Sequence, residues 1–100
     1  MSAQPLNNVR DLHDTILALH GCESRHVETA HVLEMMDGQT VWQGDVEVFD
    51  LEGHPRAARA FAWSWIDDAG ERHHIAVLNV PPIDTPREAV QAAIASGHQR

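Results

Sequence analysis

Four stretches of alternating apolar and polar residues, joined by short turn signals and bracketed by one helix-like segment at each end, constrain this chain more than any other feature. Alternation with period two puts every second side chain on one face of a strand, and four such stretches with tight connections read as an antiparallel meander. The expectation is an α+β domain in the order α-β-β-β-β-α, a four-stranded sheet with the N-terminal and C-terminal helices both packed on one face, in two layers. With 100 residues, 43% hydrophobic and 22% charged, the chain has material for one core. Residues 1–100 therefore read as a single domain, with a loose tail over residues 1–6.

After that tail, Asn7 or Asn8 caps a helix whose apolar positions Val9, Leu12, Ile16 and Leu19 recur every three or four residues, and Gly21 ends it. The pair Asp37-Gly38 between two alternating runs is the signature of a two-residue type I′ turn, which needs positive φ at both positions. Pairing Met36 with Gln39 then sets Val27, Thr29, His31, Leu33 and Met35 against Val48, Val46, Gly44, Trp42 and Thr40 on a mostly apolar face. Glu28, Ala30, Val32 and Glu34 fall against Glu47, Asp45, Gln43 and Val41 on a mostly charged one.

The third run, Arg56 to Ile66, is apolar on both faces: Arg59, Phe61, Trp63 and Trp65 on one, Ala58, Ala60, Ala62, Ser64 and Ile66 on the other. Asp67-Asp68-Ala69-Gly70 makes the next turn, and the fourth run, Arg72 to Val80, is again apolar on both faces. Strands of this kind belong in a sheet covered on both sides. Pairing Val48 with Ala58 would set Asp50 against Arg56 and Glu47 against Arg59. It would also join Val41, Phe61, Trp63 and Trp65 into one aromatic patch on an open sheet face. Thr85-Pro86-Arg87-Glu88 is a capping box with proline at the first helical position, and Ala89, Val90, Ala93 and Ile94 form the inner side of the helix that follows.

Fifteen carboxylates stand against seven arginines and no lysine, a formal charge of −8, so the average field repels phosphate backbones and anionic lipid headgroups. Neither nucleic acid nor a membrane is an expected partner. The element order resembles that of double-stranded-RNA-binding domains, which have one strand fewer, and of cystatin-like folds with a helix over a meander. The RNA-binding resemblance would imply basic residues at the start of the last helix, and this chain has Arg87 there between Asp84 and Glu88. No leader-like apolar segment opens the sequence and no run approaches a membrane-spanning length of about 20 apolar residues, so a cytoplasmic protein is expected. Cys22 stands alone, which rules out a disulfide within the chain and a thiolate cage for a metal.

Eight histidines invite a metal reading that their spacing does not support. His13 and His20 lie two helical turns, about 10 Å, apart, and His73 and His74 are neighbours on a strand and point to opposite faces. No Gly-x-Ser-x-Gly elbow is present, Cys22 follows a helix C-terminus and precedes Glu23, where a thiolate is disfavoured, and Asp67-Asp68 reads as turn chemistry. No catalytic residue, metal or cofactor is expected. The leading expectation is a non-enzymatic interaction domain that homodimerises, or binds a protein partner, through the aromatic face Val41, Phe61, Trp63 and Trp65. The alternative is a small-ligand binder or enzyme with a pocket between helices and sheet, using His31, Trp42 and a histidine of the fourth strand.

Overall fold

A computed structural model describes residues 7–97, so the tail read over residues 1–6 lies outside the described residues. The elements are α1 (Val9–His20), β1 (Glu23–Met36), β2 (Gln39–Glu52), β3 (Arg59–Ile66), β4 (Arg72–Leu78) and α2 (Pro86–Ala95). The strands form one antiparallel sheet in the order β1-β2-β3-β4, the α+β meander that the alternation predicts. Local signals act as expected. Asn8 caps α1 by accepting from Asp11 N at 3.1 Å, and Gly21, at φ 69°, returns its N–H to Leu17. Thr85 Oγ1 accepts from Glu88 N while the Glu88 carboxylate accepts from Asp84 N, closing the box that starts α2. Asp37 and Gly38 have φ of 52° and 78°, the two positive values a type I′ turn requires.

The helices lie on opposite faces of the sheet, not on one. α1 buries Leu12 and Ile16 against Phe49, Ala60, Ala62 and Ala76. α2 buries Ala89, Val90 and Ala93 against Val46, Val48, Phe61 and Trp63. Successive residues of a strand point to opposite faces, so the Ala60/Ala62 stripe and the Phe61/Trp63 stripe of β3 belong to different layers. The reason is burial: a side chain of this size gains roughly 1.5–3 kcal/mol on leaving water, and with both helices on one face one stripe would stay wet. The alanines let α1 approach closely, while the rings fill the deeper space beneath α2.

The hairpin register also differs from the simple pairing. Met36 faces Gln39 and Met35 faces Thr40 as expected, but then Val41 is bulged and Glu34 faces Trp42 rather than Val41. The shift persists to Glu28↔Val48 and is undone by a second bulge at Val27, so that His26 faces Phe49. Between the bulges β1 is turned over. Val32 enters the core at 6% exposure, while His31 leaves the apolar face and pairs with Asp45 instead of Gly44. An unbulged ladder would have put His31 and Thr29 in the core and Val32 among carboxylates.

The β2–β3 register is offset by three from the expected one: Asp50 faces Arg59 and Val48 faces Phe61. His54 Nδ1 accepts from both Arg56 N and Ala57 N, which spends those residues on the turn and delays the start of β3 to Arg59. Arg59 Nε donates to Asp50 Oδ1 at 3.1 Å, and Glu47 faces Ala62 rather than Arg59. The β2–β3 ladder stops at that pair. β1–β2 runs on to its turn and β3–β4 to Ile66↔Arg72, so the sheet forks into two hairpins.

Candidate functional site: a cleft between two hairpins

The fork opens a cleft of about 460 Å³, with Asn7, His31, Trp42, Asp45, Ser64 and Trp65 prominent in its lining. Its position follows from the ladder. Leu51 N donates to Ala58 O, and in an antiparallel pair such exchanges recur every second residue, so Asp45 and Ser64 would exchange hydrogen bonds if β2 and β3 stayed zipped. They do not meet. Ser64 N donates to Asn7 Oδ1 at 2.7 Å, and Asn7 Nδ2 donates to the Asp45 carbonyl at 2.7 Å. The side-chain amide of Asn7 thus stands where the next rung would be and holds the strands apart.

Asn7 Nδ2 also donates to Glu47 Oε2 at 2.9 Å. Glu47 is buried, and its other oxygen accepts from His26 Nε2 at 2.8 Å and from Thr29 Oγ1. Three donors thereby compensate a carboxylate withdrawn from water. Ser64 Oγ lies 2.7 Å from His74 Nδ1, and His31 Nδ1 lies 3.1 Å from Asp45 Oδ1 at the exposed rim. These groups make the α1 side of the cleft polar.

The α2 side is aromatic. Trp42 meets Trp63 edge-on, with centroids 5.8 Å apart, and Trp65 stacks on His73 at 4.6 Å. Gly44 permits this arrangement, because a Cβ there would come within 3.2 Å of the Trp42 ring. His73 Nε2 donates to Asp67 Oδ2 at 2.7 Å, and the other Asp67 oxygen accepts from Ala69 N and Glu71 N. The His73 hydrogen bond, followed by the Glu71 amide, holds the Asp67 carboxyl below its usual range. Asp67, Glu71 and His73 bring metal-ligand atoms within 4.8 Å of one another, but the two closest already satisfy each other as a turn closure.

Of the residues expected to act, the structure brings His31 and Trp42 to one cleft, as the pocket alternative requires. The cleft lies between hairpins, however, not between helices and sheet. Phe61 and Trp63 are 2% and 0% exposed beneath α2, so these two rings are core and not part of an open aromatic face. Trp65 lines the cleft, and Val41 is exposed at the bulge. Of the β4 histidines, His74 reaches Ser64 and His73 supports Trp65. Sequence reasoning missed Asn7, Asp45, Glu47 and Ser64. Asn7 competes with Asn8 for the same cap, and only the fork reveals its separate task.

No family model, curated protein or solved structure matches this chain. Among the described residues no helix is long and apolar enough to cross a membrane. At the floor of the cleft the Ser64 amide is engaged by Asn7, its hydroxyl lies against His74, and the residue is 2% exposed.

Proposed function

We propose that this protein is a non-enzymatic, cytoplasmic binding domain that takes a small ligand in the cleft between its hairpins. The observation that carries this reading is the side-chain amide of Asn7 inserted into the β2–β3 ladder. Adjacent strands gain hydrogen bonds by zipping, and a residue that replaces a rung keeps open a space the sheet would otherwise close. The volume falls within the roughly 300–1,000 Å³ of small-ligand sites. Two indoles on one side and Asp45 and Glu47 on the other suit a neutral or cationic ligand with an apolar or flat face and hydrogen-bond donors opposite it. The cytoplasmic setting is inferred from the lone Cys22.

The test is a thermal-midpoint screen with organic amines, amino acids, sugars and short peptides, repeated on Trp65→Ala. At least one class should raise the wild-type midpoint, as any ligand that binds only the native state must, and the variant should lose the rise. A hit that stabilises both proteins equally, or no hit in any class, overturns the reading.

A second reading, self-association or a protein partner, is favoured by the β1–β2 hairpin, where Leu33, Met35, Met36 and Val41 are 44–61% exposed. It expects a concentration-dependent solution mass that reaches the dimer, and a constant monomer mass sinks it.

A further inference from the structure

Resting on the cleft reading, we infer that the ligand is a short extended peptide, added as a strand between β2 and β3. Asn7 supplies the first observation. Its side-chain amide accepts from one strand and donates to the other, the two hydrogen bonds a peptide group makes when it lies between two strands. The first open rung of the fork is thus already filled by an amide.

The next rung continues the pattern. Residues whose N–H and C=O turn toward β3 are the odd-numbered positions of β2 at and beyond Asp45, and those of β3 turned toward β2 are the even ones, as Leu51, Ala58, Asp45 and Ser64 show. Gln43 and Ile66 hold the same parity one rung further out, and both line the cleft. The β2–β3 pairing has ended before them, so their backbone groups face the cleft rather than a strand. Two strand edges facing one opening make a template for strand addition, with main-chain hydrogen bonds for affinity and alternate side chains for specificity.

The walls set those side chains. In an extended peptide they point alternately to opposite sides, here toward Trp42 and Trp65 on the α2 side and toward Asp45 and His31 on the α1 side. No arginine is among the described residues lining the cleft, and the chain carries a net charge of −8. The favoured segment therefore alternates apolar and basic residues.

The experiment uses the full chain, labelled for amide exchange, with three probes: an acetylated, amidated valine-arginine-valine tripeptide, the same peptide N-methylated at its backbone amides, and a non-peptide amine from the screen. The unmethylated peptide should change tryptophan emission and slow exchange at Gln43 and Ile66 by about tenfold or more, and the methylated one should do neither. Equal binding of both peptides, or binding without protection at Gln43 and Ile66, overturns the strand-addition inference. A non-peptide probe that binds while the tripeptide does not overturns it too, yet leaves the cleft reading standing. If no probe of any class binds, both fall.

Discussion

Asp45 and Ser64 face each other in the register of the rungs below them, but the Ser64 amide is bound to a side chain and not to Asp45. The intervening residue, Asn7, precedes the Asn8 cap of α1. Consecutive asparagines thus do two jobs: one holds the fork open and the next starts the helix above it. The mouth of the cleft and the position of α1 are tied to the same two residues, and Glu47 beneath them anchors Asn7 to His26 and Thr29 of β1.

Replacing Asn7 with alanine should therefore destabilise the fold by about 1–3 kcal/mol, because it leaves the amide of Ser64 without its acceptor. Asn7→Asp should be worse near neutral pH. It keeps the shape but aims a second carboxylate oxygen at Glu47 and at the Asp45 carbonyl. Urea titrations measure both, and part of the loss in the aspartate variant should return on acidification. An unchanged midpoint for Asn7→Ala would show that the rung is not held by this amide.

Gly38→Val tests the β1–β2 turn. Gly38 sits at φ 78° with open space around its Cα, so the cost is conformational and not steric contact with a neighbour. A β-branched residue resists that region, and a loss of about 1–2 kcal/mol or more is expected in the urea midpoint. A midpoint equal to wild type would count against the turn.

Trp63 and Trp65 should separate core from cleft. Trp63 is fully buried with Phe61, Val46 and Val90, so Trp63→Ala should cost about 3–5 kcal/mol, much of a small domain's stability. Trp65 is only partly buried, and Trp65→Ala should leave a cooperative thermal transition while removing one of the two indoles that line the cleft. If Trp63→Ala melts like wild type, the ring is not structural.

Local chemistry was legible in the sequence wherever one or two residues decide the backbone. Asp37-Gly38, Gly21 and Thr85-Pro86-Arg87-Glu88 act as their residue types dictate. Strand order was legible too, from turn spacing. The doubly apolar third and fourth runs already implied a sheet covered on both sides, and that signal, set against the open aromatic face, proved the stronger: α2 covers Phe61 and Trp63. Register was not legible, because one bulge lies in each strand, at Val41 in β2 and at Val27 in β1, and a strict two-residue period counted from the turn contains neither shift. His31 and Trp42 do line one cleft, but it lies between hairpins, and the register that suggested them does not form. Asn7 and Glu47 could not be found, since their partners lie 18 to 57 residues away in the sequence.

Glu34 gives the last prediction. Its carboxylate accepts from Arg87 Nε at 3.0 Å and from Gln91 Nε2 at 3.1 Å, tying β1 to α2. The Arg87 hydrogen bond is the main reason its carboxyl lies below the ordinary value of 4.5; partial desolvation opposes it, and Gln91 adds to it. A carboxyl with a lower pKa folded than unfolded binds more protons in the unfolded chain. Its contribution is therefore complete above the ordinary value and lost as the pH falls through the folded one. Urea midpoints of wild type and Glu34→Gln should accordingly differ most above the ordinary value of 4.5 and converge as the pH falls below it. Raised salt should narrow the gap at neutral pH, because Arg87 is largely exposed. A gap that stays constant down to the acid limit would mean that Glu34 contributes packing alone, and that its carboxylate charge does not hold α2 to the sheet.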